Sequence, residues 1–600
     1  MFCFLCGCSY FETLTVAEDD RYDLNFNYVN DSTDFKWLSY LSMSKMSIDS
    51  TITVRDKHPL LFSQQVGKYR YYPIILNLVQ TFALPDSDYK EVSIRIKTKT
   101  YHIQSACMKV FCYDKQYQLL CEDSVDIDHV FWKTSSLTLQ SPNIHLIKVF
   151  VECYGKPVTK NQKIWMDRME ITVDGKDINQ LPLNDLYTMD KEFSIDEEQI
   201  HLFRPDNFGI PVDCLNGKKI IALGESIHGS DSINKITVQV IKDLVLHADC
   251  KLVLFEGCID NCLLWDAYIT GQAVDTTINR ISEEIKTIVF SDIELVDLLV
   301  WLRSYNSDKK EKVRFMGIDF HGGNNQWAPV ADYLLTYYRS EYADEFLSVL
   351  GCLWHWGTLD PLKALQTFQE KACFKTLMSP TDYEMLVDVL TQFVEVDNSR
   401  KKEPYASLKM IQNRDSIMYR NVKRGIDLYL KDEERAVIIS HYGHAGRSPG
   451  RVEKTSMGYF LNKTYKDAYF PVGIFVGEGY AGVKDALRED TVSFRLVPPP
   501  MNSLEKMCRE MHTGSFYAST SVLPNEALFT REVGSSGVNP QFVYNYPKMQ
   551  CDGFIFINSA PCCPGEFIDK NELRIDLETK TRRAQRDKKR ILEKNLNGFY

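Results

Sequence analysis

The stretch Lys219-Ile-Ile-Ala-Leu-Gly-Glu-Ser-Ile-His-Gly229 leads from an apolar strand directly into a polar turn. A short, continuously apolar run is typical of a strand that is covered on both faces of a parallel sheet. The turn places Glu225 and His228 three positions apart between two glycines, which let the backbone bend sharply. Ligands of open α/β sheets bind at the carboxyl ends of the strands. The stretch therefore predicts an α/β domain with a functional site at this strand end.

The same pattern recurs along the second half of the chain. Further apolar runs, separated by helix-length segments, are Lys251-Leu-Val-Leu-Phe255, Val313-Arg-Phe-Met316, Ala436-Val-Ile-Ile-Ser440 and Pro471-Val-Gly-Ile-Phe475. They predict a mostly parallel sheet flanked by helices over residues 215–565. From about 328 to 430 helical spacing replaces the strand pattern, which predicts a helical insertion. Residues 566–600 form a charged tail that we interpret as solvated.

Residues 20–185 have a different pattern, because alternating runs such as Val92-Ser-Ile-Arg-Ile-Lys97 have the period of half-buried strands. They predict an all-β sandwich of jelly-roll type, which ends in an Asp174-Gly175 turn. A polar linker follows over 186–214. Sandwiches of this type often bind carbohydrate, and Trp37 and Trp165 are candidate stacking residues. A lone tryptophan in a sandwich is, however, more often part of the core.

Composition limits the classes of function. The 600 residues exceed a single core, and the net charge of -11 disfavours nucleic acid as a partner. No apolar run is long enough for a transmembrane segment. Residues 1–19 begin with Met1-Phe-Cys-Phe-Leu-Cys-Gly-Cys8, which has the order of a lipoprotein cleavage site without its basic region. A truncated signal of this kind predicts a cell-envelope lipoprotein; otherwise the protein is expected to be cytoplasmic.

Polar residues follow four of the predicted strands. The clusters are Glu225 with His228, then Glu256, then Asp319 with His321, and finally His441 with His444. Four of the chain's twelve histidines fall in these clusters. Because all four strand ends meet at one edge of the predicted sheet, we expect one shared site.

Two chemistries suit this set of residues. A histidine held by a carboxylate can act as a general base on water, while a second histidine stabilises the oxyanion or protonates the leaving group. Alternatively, the same histidines and carboxylates could bind a divalent metal.

The order of these motifs resembles the erythromycin esterase family. The matching segments are Gly224-Glu-x-x-His-Gly229, Glu256, Ile293–Asn306, Gly317-Ile-Asp-Phe320, Arg414–Asn421, His441-x-x-His444, Met457-Gly458, Gly477-Glu-Gly479, Pro498-Pro-Pro500 and Asp552–Ile557. The resemblance covers about 215 to 560 and implies an α/β fold with a helical insertion. It also implies opening of a macrolide lactone by water without a metal or other cofactor.

Site roles carried over from this resemblance fall into two groups. The predicted catalytic residues are His228 as the base, Glu225 and Glu256 to orient or polarise the water, and His441 and His444 to complete the site. The predicted substrate-binding residues are Asp319, His321, Arg414 and Glu478.

Two departures concern the substrate. Where the family has Trp-x-His-Asn-x-His, this chain has Ile439-Ser-His-Tyr-Gly-His444, and Asp231 replaces an Arg that tends to follow the first motif. We therefore expect a hydrolase of a small-molecule ester or lactone that need not be erythromycin itself, with a response to antibiotic as one role. The alternatives are a divalent-metal-dependent hydrolase and a non-catalytic ligand- or glycan-binding protein.

Overall fold

The chain divides into two compact units, Met1–Asp190 (unit 1) and Lys191–Tyr600 (unit 2). A computed structural model describes residues 20–26, 37–39, 45–54, 57–64, 74–85, 88–115, 118–156, 161–182, 195, 197–203, 210–285, 293–320, 327–353, 360–402, 413–447, 456–484, 491–499, 503–511, 514–524, 528–533, 542–560 and 566–567. The proposed signal at 1–19 and most of the charged tail lie outside these residues.

Unit 1 consists mainly of antiparallel β-structure. Its described strands are β1 (Leu38–Ser39), β2 (Lys45–Ile48), β3 (Leu60–Gln64), β4 (Ile74–Ala83), β5 (Tyr89–Tyr101), β6 (Ile103–Tyr113), β7 (Leu119–Asp126), β8 (Lys133–Ile144), β9 (Leu146–Gly155), β10 (Gln162–Val173) and β11 (Lys176–Asp177). One sheet has the order β1-β4-β9-β6-β7 and the other has the order β2-β3-β10-β5-β8, with β11 paired to β10. The predicted β-rich character of this region is confirmed, whereas the jelly-roll topology stays a prediction.

Alternation along the strands determines which side chains are buried in unit 1. In β5, Val92, Ile94 and Ile96 are completely buried, and the residues between them are more exposed. Inward-facing residues of both sheets belong to one hydrophobic cluster. The Asp174-Gly175 turn has positive φ at both residues, as a two-residue type I′ hairpin turn requires.

The two candidate stacking tryptophans of unit 1 are both buried. Trp37 packs against Phe26 and Phe82, and its indole N–H donates to the carbonyl of Asp23. Trp165 is 6% exposed, because Lys99 and Lys163 lie over its ring. Neither ring offers a broad open face, so carbohydrate binding by this unit stays a prediction.

Unit 2 contains the predicted α/β sheet. Its strands are β12 (Ile200–Leu202), β13 (Ile220–Glu225), β14 (Cys250–Cys258), β15 (Arg314–Asp319), β16 (Arg435–His441), β17 (Tyr469–Lys484), β18 (Thr491–Arg495), β19 (Phe516–Ser519), β20 (Leu528–Arg531), β21 (Phe542–Asn545), β22 (Gly553–Ala560) and β23 (Glu566–Phe567). Neighbouring strands pair in parallel along the order β22-β17-β13-β16-β14-β15. The mixed α/β character expected from the sequence is confirmed.

Helices flank this sheet. They are α1 (Asp231–His247), α2 (Ile259–Ile269), α3 (Thr277–Ile285), α4 (Ile293–Asn306), α5 (Trp327–Thr336), α6 (Ala343–Leu353), α7 (Pro361–Glu370), α8 (Ala372–Leu377), α9 (Pro380–Lys402), α10 (Arg414–Tyr429), α11 (Tyr442–Ala445), α12 (Met457–Tyr465), α13 (Leu504–Met511) and α14 (Pro547–Gln550). Between β15 and β16, the elements that the structure describes are all helices, one of them a short 3-10 turn. No described helix is both long and apolar enough to span a membrane.

The segment that the sequence predicts as a linker contains a strand. Within 186–214, β12 pairs antiparallel with β19, and β19 pairs antiparallel with β22. With only three residues, β12 is too short to show a period-2 pattern. β12 is a strand because it pairs with β19, which lies more than three hundred positions further along the chain. A local sequence pattern cannot predict such a pairing.

Candidate active site

Glu225 and His228 form a buried pair at the end of β13. The Oε1 atom of Glu225 lies 2.6 Å from Nδ1 of His228, and the two residues are 3% and 8% exposed. A carboxylate at this position accepts the Nδ1 proton of a neutral imidazole. The pair therefore favours the tautomer whose Nε2 atom carries no proton and can act as a base.

Backbone contacts on both sides hold the turn that carries His228. The N–H of His228 donates to the carbonyl of Val533, and the N–H of Val533 donates to the carbonyl of Ser226. On the other side, the N–H of Gly482 donates to the carbonyl of Gly229 over 2.7 Å. Gly229 has a φ of 67°, and an added Cβ would lie 2.4 Å from the carbonyl oxygen of Gly482. This position therefore needs glycine for both its conformation and its packing.

His441, at the end of the neighbouring strand β16, lies beside His228. The centroids of the two rings are 4.7 Å apart. The N–H of Gly443 donates to Nδ1 of His441 over 3.2 Å, so a neutral His441 carries its proton on Nε2. Its backbone N–H donates to Oε2 of Glu256 over 2.6 Å. These contacts place two imidazoles of opposite tautomer next to each other.

Arg414, the first residue of α10, joins the carboxylates of two other strand ends. Its guanidinium donates to both oxygens of Asp319 and, over 2.8 Å, to Oε1 of Glu256. Asp319 is completely buried. Burial lowers the pKa of Arg414, but Asp319 and Glu256 raise it by more, and the net pKa lies above its ordinary value. The guanidinium is thus a permanent positive charge inside the cluster.

His444 lies between Arg414 and two carboxylates. Its Nδ1 is 2.7 Å from Oδ1 of Asp415, and its Nε2 is 3.1 Å from Nη1 of Arg414 and 3.4 Å from Oε1 of Glu256. A guanidinium cannot accept a hydrogen bond, so its contact favours an unprotonated Nε2, whereas Glu256 favours a protonated one. Burial lowers the pKa of His444, but Asp415 and Glu256 raise it, and the net pKa is raised.

Glu256 is the shared acceptor of the cluster. Burial raises the pKa of its carboxyl group, but the charges of His444, Arg414 and His228, together with the backbone N–H of His441, lower it to about 2. Glu256 is therefore ionised across the physiological pH range. Its role in this geometry is to hold and polarise positive and N–H groups rather than to exchange a proton.

In the structure, most of the predicted site residues lie in one cluster. A continuous series of contacts joins Glu225, His228, His441, Glu256, His444, Arg414 and Asp319. His321 lies outside the described residues. Glu478 is half-exposed and forms an ion pair with Arg509 over 2.9 Å, and its role in substrate binding stays a prediction.

Two further carboxylates lie within the cluster. Asp415 accepts hydrogen bonds from His444 and from the backbone N–H of Met457. Oε1 of Glu532 lies 3.9 Å from Nδ1 of His441, and both side chains are almost completely buried. Asp415 directly follows Arg414 in a segment that the family resemblance covers. Its presence in the site could therefore have been predicted from the sequence. Glu532 directly follows β20, but that short strand gives no clear pattern of its own.

Among the described residues, no group of three or more His, Cys, Asp or Glu side chains is arranged to hold a metal ion. At one part of the cluster, the Arg414 guanidinium occupies the position shared by Asp319, Glu256 and His444. These three side chains therefore hold an internal cation.

Comparison with known proteins identifies the family of this chain. The family model for erythromycin esterase matches residues 245–560. The chain belongs to the erythromycin esterase family. An esterase-like hydrolase is the activity that this membership supports. The matched residues include Glu256, Asp319, Arg414, His441 and His444, whereas Glu225 and His228 precede them.

The individual relatives and solved structures that match this chain have low sequence identity to it. Erythromycin esterase type II of Escherichia coli is 21% identical in an alignment of 342 residues that covers 50% of this chain and 80% of that protein. A Bacillus cereus crystal structure is 17% identical with a TM-score of 0.48, covering 62% of this chain and 97% of that one. An erythromycin esterase mutant in its open conformation is 14% identical with a TM-score of 0.42, covering 58% and 93%.

Proposed function

We propose that this member of the erythromycin esterase family hydrolyses a carboxylic ester or lactone with water activated by His228. The observation that carries the proposal is the buried 2.6 Å contact between Glu225 and His228. This contact directs the unprotonated Nε2 atom away from Glu225, so that Nε2 can accept a proton from water. The resemblance of the first motif to that of the family supports the same assignment.

In the proposed reaction, His228 first accepts a proton from water and later donates a proton to the leaving alkoxide. A water molecule loses a proton to Nε2 of His228 as its oxygen forms a bond to the carbonyl carbon of the substrate. The resulting tetrahedral oxyanion then breaks the bond to the alkoxide, which takes a proton from the His228 imidazolium. The products are an acid and an alcohol, joined in one molecule when the substrate is a lactone. A general base of this kind contributes typically about 10²- to 10⁴-fold in rate.

The other half of the cluster supplies positive charge for the oxyanion. Arg414 is cationic, and the raised pKa of His444 favours its charged form. His441 can donate from Nε2, because its Nδ1 atom accepts from Gly443. In a buried site, fixed donors of this kind stabilise developing negative charge more strongly than water does. We assign His441 and His444 to this role, with Glu256 and Asp415 holding them in place.

The second histidine motif bears on the substrate class. Ile439 and Tyr442 stand where the family has Trp and Asn, and this departure favours a substrate other than erythromycin. Asp319 and Arg414 remain proposed substrate-binding residues, although both already bind each other. We therefore propose a small-molecule ester or lactone, with macrolides as one group within that class.

A substrate panel tests this proposal. Purified protein is incubated with aryl esters, lactones and macrolides, with and without a chelator, and products are detected by mass spectrometry as a gain of one water. We expect turnover of at least one ester or lactone that chelator leaves unchanged. Turnover abolished by chelator would establish the metal-dependent alternative instead. Ligand binding without turnover across the panel would favour the non-catalytic binding protein.

A further inference from the structure

A polar cavity of about 520 Å³ lies at the edge of the unit 2 sheet opposite the histidine cluster. Lys251 lies at the start of β14, and Arg314 is the first residue of β15. The same two strands present Glu256 and Asp319 near their carboxyl ends. Glu256 lies five positions after Lys251 along the strand, which places the cavity roughly 17 Å from the cluster.

Positive charge is concentrated in this cavity, although the protein as a whole is acidic. The cationic lining residues are Lys251, Lys310, Lys312, Arg314 and Lys431, and the lining carboxylates are Glu311, Asp382 and Glu434. The lining residues have an excess of two positive charges, which falls to one when Asp266, the carboxylate behind Arg314, is counted, in a chain whose net charge is -11. Grouping like charges around one cavity is unfavourable unless an anion compensates them.

Some of the cationic lining residues bind other groups of the protein, and the positive charge of the others remains available to bind an anion. Arg314 donates to both oxygens of Asp266 and to Oδ1 of Asp382, and it stacks on the partly buried ring of Tyr429. It is therefore neutralised and forms the rigid floor of the cavity. Lys431 pairs with Glu311, and Lys312 donates to the carbonyl of Thr270. These contacts anchor the rim around the remaining lysines.

The free cations of the lining suit a phosphate group. Lysine ammonium groups are compact point charges that bind phosphate oxygens. Two lining hydroxyl groups hold the wall of the cavity: Thr270 donates to the carbonyl of Asp266, and Ser379 donates to Asp382 and caps the first turn of α9. Apart from Gly271, Leu428 and Tyr429 the lining is polar. Its volume lies within the usual range for small-molecule sites, about 300–1,000 Å³.

We propose that this cavity binds a small phosphorylated molecule, at a site separate from the proposed hydrolytic centre. The phosphate group contacts Lys251 and Lys310, and Arg314 remains bound to its own carboxylates behind them. Because β14 and β15 connect the two edges of the sheet, the ligand stabilises the strands that carry Glu256 and Asp319. The proposal does not depend on the reaction at the histidine cluster.

Inorganic pyrophosphate is the probe that tests this site. We expect it to raise the melting temperature of the full-length protein above that in chloride of the same ionic strength. Isothermal titration should give an affinity at least tenfold lower for Lys251→Gln/Lys310→Gln than for wild type. Lys176→Gln/Lys363→Gln is the matched control, because it removes two exposed lysines elsewhere and should bind as wild type.

Two further measurements define the location and the specificity of the site. Binding by His228→Ala should equal that of wild type, since the cavity lies at the opposite sheet edge. Citrate, a carboxylate of similar charge, should bind more weakly than pyrophosphate. The proposal is overturned if wild type shows no pyrophosphate-specific stabilisation, if both double variants bind alike, or if binding is lost in His228→Ala.

Discussion

The carboxylate of Glu225 and the imidazole of His228 are held 2.6 Å apart in a buried turn between β13 and α1. The backbone of the turn cannot move easily, because backbone hydrogen bonds to Val533 and Gly482 hold it on both sides. The contact selects the tautomer in which Nε2 of His228 accepts a proton. The hydrolysis that we propose therefore depends on this pair as a unit.

Replacing Glu225 by Gln tests the tautomer directly. The amide has nearly the same shape, but its NH₂ group can donate to Nδ1 of His228 and stabilise the wrong tautomer. We expect kcat to fall by about 10²-fold or more with little change in KM, because ground-state binding is not altered. Steady-state kinetics on the best substrate of the panel measure both constants. An unchanged kcat would mean that Glu225 does not set the protonation of His228.

Arg414 should contribute strongly to the stability of unit 2. Arg414→Met leaves the carboxylates of Asp319 and Glu256 buried without their cation, which costs about 3–5 kcal/mol. Arg420→Met on the same helix is the matched control, since its pair with Glu395 is exposed and contributes about 1 kcal/mol or less. Denaturant unfolding of both variants measures the difference. Equal losses would contradict a buried ionic network.

Adding Asp319→Asn to Arg414→Met provides a second test of the same network. The double variant removes one of the two buried carboxylates that have lost their cation, so it should be more stable than Arg414→Met alone. A double variant whose losses simply add would mean that the two residues are not energetically coupled.

The lowered pKa of Glu256 predicts a stability that depends on pH. Its folded pKa of about 2 lies below the ordinary value of 4.5, so the ionised carboxylate stabilises the folded state above pH 4.5. That contribution, about 3 kcal/mol, is lost as the pH falls from 4.5 toward 2. Wild type should therefore exceed Glu256→Gln in unfolding free energy by more at about pH 6 than at about pH 3. A difference that is the same at both pH values would contradict the assignment.

Gly229 should not tolerate a side chain. Gly229→Ala combines a positive φ with a Cβ at 2.4 Å from the Gly482 carbonyl oxygen. We expect a loss of about 2–3 kcal/mol and a lower kcat, because the adjacent His228 must shift. Gly217→Ala isolates the cost of the positive φ, since its Cβ would meet no atom within 4 Å, and it should lose only about 1 kcal/mol. Thermal unfolding and kinetics of both variants distinguish the two costs.

Local sequence was sufficient to predict the strand ends of unit 2. The apolar runs before Glu225, Glu256, Asp319 and His441 are long enough to identify buried strands, and parallel pairing brings their carboxyl ends to one edge. The structure places all four residues in one connected cluster. The family resemblance added Arg414, which no periodicity would have indicated.

Long-range contacts account for what the sequence did not predict. Glu532 reaches His441 from a segment about ninety positions further along the chain, and β12 becomes a strand only by pairing with β19. The acceptors of the Arg414 hydrogen bonds were also not predictable. Its partners Asp319 and Glu256 are near in space but far apart in sequence.

The most direct test of the account compares His228→Ala with His247→Ala on the best substrate of the panel. His247 is an exposed histidine at the end of α1, so its loss controls for removing an imidazole from the same unit. The account predicts that kcat/KM falls by about 10²- to 10⁴-fold in His228→Ala and stays at the wild-type value in His247→Ala. Circular dichroism establishes that both variants are folded. Wild-type turnover by a folded His228→Ala protein would contradict the claim that His228 activates the water.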